Sequence, residues 1–412
     1  MRGWQTKPLE EVTYLAGRIG WKGLTAKEYT DTGPLFLSVH SLNYGDWVDF
    51  RDANHITQER YDESPEIMLQ ANDVLICKDG AGIGKTGIIK SLPEPATINS
   101  SLLLIRAQKD LLPKFLYYAL SSPSFQRIVQ ERIEGATTPH LYQKDIRQFS
   151  ISYPSLPEQK RIVAILNEAF EGIDAAIDNT QANLAAACEL FESHLNSTFL
   201  AMAHNCENIP LEDLCSKITK GSSPKWQGIN YVEDPGILFI TSENVGSNKI
   251  ILDKKKYVEE KFNIKEKKSI LKKGDVLTNI VGASIGRTAL FEIDEDSNIN
   301  QAVCLIRPKK EKLSGIYLSI ILNSPFFRRI LHENEVNNAR ANLSLKFFRE
   351  LKIPTPSTEN QRELVSKIKT LEEDTFTLQT LYQRKLDALQ ELKQSILAKA
   401  FRGEMTQDEI AT

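Results

Sequence analysis

The 412-residue chain repeats itself at an offset of about 202 residues, and no other feature constrains its fold as much. Pro8-Leu9-Glu10-Glu11-Val12 returns as Pro210-Leu211-Glu212-Asp213-Leu214, and Asp73-Val74-Leu75 returns as Asp275-Val276-Leu277. Ser122-Pro123 comes back as Ser324-Pro325, and Leu190-Phe191-Glu192-Ser193 as Leu392-Lys393-Gln394-Ser395. A period this long marks a duplicated domain, not a solenoid unit. The expected order is a globular half (1–155), a long helix (156–204), a second globular half (205–353), and a second helix with a tail (354–412).

The helices are the clearest local reading. From Ile173 to Ile209 the chain holds neither Gly nor Pro. Val163, Leu166, Phe170, Ile173, Ile177, Leu184, Ala187 and Phe191 keep a 3-4 spacing interrupted by Thr180. In the second copy Leu364, Ile368, Leu371, Leu378, Tyr382, Leu389, Leu392 and Ile396 do the same around Thr375 and Lys385. An apolar stripe of period about 3.5 over several heptads predicts a coiled-coil seam. Two like halves joined by such helices pack with pseudo-twofold symmetry if the helices run antiparallel.

Each globular half reads as α+β. Leu35–Val39, Val74–Lys78, Gly87–Lys90 and Leu102–Arg106 are short aliphatic runs that predict strands. Pro113–Leu120 and Pro123–Ile133 predict helices, the second with Ser122 as N-cap and Pro123 in its first turn. Gly17–Thr25, Gly80–Gly87 and Gly135–His140 are the connecting loops. Strands and helices do not alternate strictly, so a doubly wound α/β sheet is not expected.

Composition narrows the function classes. With 41% hydrophobic residues and no apolar run of about 18, the chain is expected to bury more than one core without spanning a membrane. Met1 to Lys7 lacks the apolar stretch of a signal peptide, which points to the cytoplasm. The five cysteines form no CxxC pair, so reduced thiols are expected and structural zinc is not. Net charge is −3, yet residues 205–353 hold 24 lysines and arginines against 19 acids. A nucleic-acid binder with this balance would share the phosphate backbone with a partner.

One loop imitates a nucleotide site. Gly80-Ala81-Gly82-Ile83-Gly84-Lys85-Thr86 follows a strand and ends in Gly-Lys-Thr. A phosphate-binding loop needs four residues between its outer glycines and a helix after it, and neither condition is met. The copy, Gly282-Ala283-Ser284-Ile285-Gly286-Arg287-Thr288, places Arg where the first has Lys. Two readings remain: a tight loop offering one cation to a DNA phosphate or groove, or a plain hairpin turn. No Pro-Pro pair exists for an adenine-methyltransferase strand end, and the six histidines show no ligand spacing. Asp253, Glu259 and Lys261 only superficially spell a nuclease triad.

Taken together, these residues resemble the specificity (S) subunit of type I restriction-modification systems, over the whole chain. The marks are Leu156-Pro157-Glu158-Gln159-Lys160-Arg161-Ile162-Val163 leading into the first helix and Ala400-Phe401-Arg402-Gly403-Glu404 closing the second. Ile299-Asn300-Gln301-Ala302 and the two glycine loops add to them. The second helix departs at its start, where Ser357-Thr358-Glu359-Asn360-Gln361 replaces Leu-Pro-Glu-Gln. The resemblance implies a non-catalytic subunit in which each domain reads half of a bipartite, asymmetric double-stranded DNA target. It implies two methyltransferase (M) subunits as partners, with restriction (R) subunits joined through them. S-adenosylmethionine, ATP and magnesium would belong to those partners, and none to this chain. Candidate DNA contacts are Arg18, Lys22, Lys85, Thr138 and His140 in the first half, and Lys220, Lys225, Arg287, Arg340 and Asn342 in the second. Their side chains supply the donors and acceptors that meet phosphates and base edges. Two other classes stay open at this stage: a stand-alone nuclease or NTPase, which would turn over substrate alone, and a structural coiled-coil adaptor, which would show no sequence preference.

Overall fold

In the computed structural model, which describes residues 3–18, 24–134, 140–233, 236–337 and 341–405, the aliphatic runs form the central sheet of each half. Strands β1 (Thr13–Gly17), β2 (Val74–Cys77), β3 (Thr86–Ile88) and β4 (Leu102–Ala107) pair antiparallel in the order β1-β4-β2-β3. The second half repeats this with β5 (Cys215–Lys220), β6 (Asp275–Asn279), β7 (Thr288–Phe291) and β8 (Val303–Pro308), in the order β5-β8-β6-β7. Both faces of each sheet are covered. Val74, Ile76, Leu103 and Ile105 face the core shared with the helices, while Leu75, Cys77, Leu102 and Leu104 face a smaller core. Burial on both faces explains why these strands read as unbroken apolar runs and not as alternating ones.

A second sheet backs each central one. In the first half it orders Asn54–His55, Thr30–Leu37 and Ala96–Ile98; in the second, Tyr231–Val232, Tyr257–Val258, Ile237–Ile240 and Ser297–Ile299. Each contains one parallel pair, Leu35–Leu37 with Ala96–Ile98 and Leu238–Ile240 with Ser297–Ile299. With its helices gathered on one face of an antiparallel sheet, each half is α+β. Two local expectations shift. The strand at Leu35 begins at Thr30, and Val39 belongs to a 3-10 turn. Ser122 holds the N-cap position of Pro123–Ile133, but its hydroxyl donates to the Ala119 carbonyl (2.6 Å) instead of accepting from the helix. Its copy Ser324 does cap, accepting from the Phe327 amide at 3.4 Å.

The duplication extends to buried ion pairs. Arg106 grips the almost fully buried Asp73 with two bonds of 2.6 and 2.8 Å, and Arg307 grips Asp275 at 2.6 and 2.7 Å. Each arginine also donates to a backbone carbonyl, Met68 (3.0 Å) or Ile270 (2.9 Å). The repeated Asp-Val-Leu runs thus carry an arginine lock on the sheet.

The two long helices are α1 (Leu156–Asn205, 50 residues) and α2 (Thr358–Phe401, 44 residues). The chain divides into two units inside both helices: residues 1–180 with 384–412, and residues 181–383. In the first unit Ile162, Leu166, Phe170 and Ile173 of α1 share the domain core with Leu397 and Ala400 of α2. Lys393 pairs with Asp174 at 2.7 Å, and Arg161 donates to the Met405 carbonyl, so these segments run antiparallel. In the second unit Phe199 is buried with Val365 and Ile368, and Gln379 donates to the Cys188 sulfur at 3.0 Å, again antiparallel.

The seam departs from the sequence reading in detail. Buried apolar positions on α1 include Ile162 in place of Val163, and on α2 they are Val365, Ile368, Leu386, Leu397 and Ala400. Leu378 and Leu392, assigned to the seam from spacing, are exposed. Adjacent apolar pairs such as Leu364-Val365 and Ile396-Leu397 admit two stripes, and packing against the domain selects one. The polar breaks are satisfied locally: Thr180 donates to the Ala176 carbonyl (2.6 Å) and Thr375 to Leu371 (2.7 Å).

A glutamine fixes each helix start to its domain. Gln159 is fully buried, accepts from the Leu112 amide (2.8 Å) and donates to the Asp110 and Pro154 carbonyls (2.8 and 2.9 Å). Gln361 repeats the arrangement with the Ser314 amide and the Lys312 and Pro356 carbonyls, each at 2.9 Å. The departure at Ser357–Asn360 therefore leaves intact the one side chain of the motif that ties helix to domain. A buried amide satisfied three times would leave three unpaired backbone groups if removed.

Candidate nucleic-acid interface

In each half the candidate loops leave the same end of the central sheet. Strand β1 ends at Gly17 opposite Leu103, and β2 ends at Cys77 opposite Leu102. The first glycine loop and the Gly80–Lys85 connection therefore emerge side by side. His140 is bridged to Asp79 there, its Nδ1 in contact with the Asp79 carboxylate, which also holds the Lys78 ammonium at 2.6 Å. The Tyr142 ring stacks edge-on against His140 at 4.5 Å. In the second half Lys220 ends β5 opposite Cys304, and Asn279 ends β6 opposite Val303. Asn342 is bridged to Val281, and the Leu343 amide donates to the Ile280 carbonyl at 2.9 Å.

The Gly-Lys-Thr loop is a hairpin. The Gly84 amide returns to the Cys77 carbonyl (2.9 Å) and the Cys77 amide to Lys85 (2.8 Å); Gly286 and Asn279 repeat this at 2.9 Å each. Gly80, Gly84, Gly282 and Gly286 all have φ between 78° and 83°, which a side chain would strain. A strand, Thr86–Ile88 or Thr288–Phe291, follows each loop where a phosphate-binding loop has a helix. The geometry closes a turn and leaves one cation at its end.

The other candidates divide by exposure. Lys85 is exposed, with its ammonium on the Asn43 side-chain oxygen at 2.7 Å. Arg287, Lys220, Lys225 and Asn342 are exposed. Arg328, which sequence reasoning passed over, lies half-buried near Arg287 and donates to the Ser247 hydroxyl at 2.7 Å. Burial lowers its pKa, the charge of Arg287 lowers it further, and Glu192 opposes both. Only its position beside the repeated Ser-Pro helix start would have flagged it.

Arg18 points inward. It is 4% exposed, donates from Nε to the Ile98 carbonyl (3.0 Å) and sits 5.3 Å from the Phe36 ring centre. Burial, and then the neighbouring Arg60, lower its pKa. Its guanidinium joins the two sheets and does not stand at the surface. The candidates Lys22, Thr138 and Arg340 lie outside the described residues. Among the described residues no group of three His, Cys, Asp or Glu side chains is placed to hold a metal ion, and no helix is long and apolar enough to cross a membrane.

Comparison with known proteins agrees with this duplicated geometry. The profile of the type I restriction modification DNA specificity domain matches residues 1–183 and again 204–387. The EcoBI specificity subunit of Escherichia coli is 28% identical over 339 residues, covering 76% of this chain and 70% of that one. The MjaVIII specificity subunit of Methanocaldococcus jannaschii is 23% identical over 356 residues, covering 82% and 80%. Among solved structures, a chain of a type I restriction-modification complex superposes with a TM-score of 0.75 at 19% identity, covering 98% of this chain and 99% of that one. The HsdS subunit from Thermoanaerobacter tengcongensis gives 0.56 at 18% identity, covering 98% of each chain. This chain belongs to the type I restriction-modification specificity family, and it carries the family's domain twice.

Proposed function

We propose that each domain reads one half of a bipartite, asymmetric DNA target through the sheet end described above. The observation that carries this is one scaffold bearing different side chains. Asp79 and His140 meet at the first sheet end; Val281 and Asn342 stand at the matching place in the second. Lys85 is matched by Arg287. Arg favours bidentate contact with guanine and Asn with adenine, so diverged ends select different bases. Exposed Lys85, Lys220, Lys225, Arg287 and Asn342 are the contacts we assign, with His140 presented by its Asp79 partner.

Helices α1 and α2 fix the unread spacer and dock two methyltransferase subunits, through which restriction subunits join. Support for two identical partners lies in the repeat itself. Leu190 and Leu392 occupy equivalent positions and are 71% and 47% exposed. Beside Leu190 an open cavity of about 680 Å³ is lined by Ala187, Phe191, Leu371 and Leu378. The cavity near Leu392 is lined by Asp387, Gln390, Glu391, Lys393 and Gln394, so what repeats is the exposed leucine itself, and it fits an apolar partner contact on each helix.

The chemistry then resides in the partners, where S-adenosylmethionine, ATP and magnesium bind. The hairpin form of the Gly-Lys-Thr loop supports placing ATP elsewhere. Purified alone, the chain is expected neither to methylate nor to cut DNA; mixed with its methyltransferase subunits, it is expected to direct adenine methylation to one sequence. Radiolabelled methyl transfer checks this, and turnover of S-adenosylmethionine by the pure chain would overturn it.

A further inference from the structure

Trp226 is 77% exposed, the most exposed large apolar side chain among the described residues. It does not hang on a loose loop. The turn Lys225–Gln227 is closed by the Trp226 amide on the Ser223 carbonyl (3.1 Å) and by the Gln227 and Ile229 amides on Pro224 (2.9 and 3.0 Å). Gly228 ends it in the left-handed region at φ 67°. Gln227 donates to the Ser222 hydroxyl (3.1 Å) and the buried Glu266 carboxylate (2.7 Å), and Lys265 caps the Gln227 carbonyl at 2.7 Å. Ile229 anchors the far side in a small core with Phe239, Val258 and Phe262. Just before the turn, a Cβ on Gly221 would come 1.8 Å from the Ile299 carbonyl oxygen, so the chain is pinned at both ends.

Holding an indole in water on a rigid turn forgoes the burial that an aromatic side chain ordinarily gains. Its surroundings say what covers it. Lys225 precedes it and Lys220 ends the strand before the turn, both exposed; Lys265 reaches the same turn, and Tyr231 and Ile264 are exposed on the following strand and on the helix that carries Lys265. Of the acids on these elements, Glu266 is engaged by Gln227 and Lys268 and Glu259 by Asn230 at 3.1 Å, while Glu233 and Glu260 are exposed. An apolar tip flanked by exposed lysines matches a polyanion that also offers apolar surface at groove edges and base steps, namely duplex DNA. The first half carries the same pattern in sequence, Trp21-Lys22-Gly23 against Trp226-Gln227-Gly228.

We infer that the Trp226 indole packs against a base step of the second half-site, while Lys220 and Lys225 hold the flanking phosphates. This rests on the second domain being a DNA reader, and it adds an apolar contact to the polar ones assigned above.

The test uses the full chain assembled with its methyltransferase subunits, and a duplex carrying the sequence that the system methylates. Trp226→Ala is expected to weaken binding by about tenfold, with the salt dependence of binding unchanged. Trp226→Phe should recover most of that loss. Lys225→Ala should instead lower the slope of log affinity against log salt by about one. Wild-type affinity in Trp226→Ala, or loss of co-purification with the methyltransferase in its place, would overturn the inference and leave the two-domain reading standing. If the wild-type assembly failed to prefer its methylated sequence over a scrambled duplex, the reading itself would fall.

Discussion

Replacing Leu190 and Leu392 together with aspartate is expected to abolish assembly with methyltransferase subunits while leaving the chain folded. Leu190 stands largely in solvent and Leu392 about half so, and the isolated chain loses little at the first and about 1 kcal/mol at the second. In the complex Leu190 would contribute about 1.5–2 kcal/mol by burial and the half-covered Leu392 about 1, and each aspartate would also face an apolar surface unpaired. A combined loss of about 3 kcal/mol per site weakens association more than a hundredfold at each. Co-purification reads the loss, and a cooperative melting transition lowered by only a few degrees shows that the fold survived. Single substitutions should each leave one partner attached, because the two leucines belong to separate copies. Full assembly by the double variant would remove the docking proposal.

The second large effect concerns spacing. Four residues added to a helix extend it by about 6 Å, which corresponds to slightly under two base pairs of DNA. Four residues exceed one turn by only a fraction, so the apolar stripe is approximately kept. The insertions belong after Thr180 and after Gln383, where the two units divide, because those cuts disturb neither domain core. Made in both helices at once, they should shift the preferred unread spacer by one or two base pairs and leave both half-sites unchanged. Some activity should be lost, since DNA twist rotates one half-site relative to the other over the added length. Sequencing the methylated sites of the variant checks this; an active variant with its original spacer would refute the helices as the ruler.

Much of this molecule could be read from one sequence because it is written twice. The long helices showed themselves through sustained periodicity, and the strands through short aliphatic runs bounded by Gly and Asp. The exact seam could not be read, since Leu364-Val365 and Ile396-Leu397 offer adjacent apolar choices that only packing resolves. The site was less legible. A surface lysine and a buried arginine look alike in sequence, and Arg18 turned out to join two sheets where a groove contact was expected. Nothing local in sequence distinguishes Trp226, an exposed aromatic on a braced turn, from one in a core, and for Arg328 the only signal is its place beside the repeated Ser-Pro helix start. Gln159 and Gln361 show the opposite case, a motif residue whose value lies in buried hydrogen bonds that spacing cannot display.

The central claim is that two domains read two half-sites independently. Exchange of residues 205–353 for the corresponding domain of another family member, followed by sequencing of methylated DNA from cells carrying the whole system, tests it most directly. The expected result is a new second half-site with the first half-site and the spacer length retained. A change in both half-sites, or in neither, would contradict it.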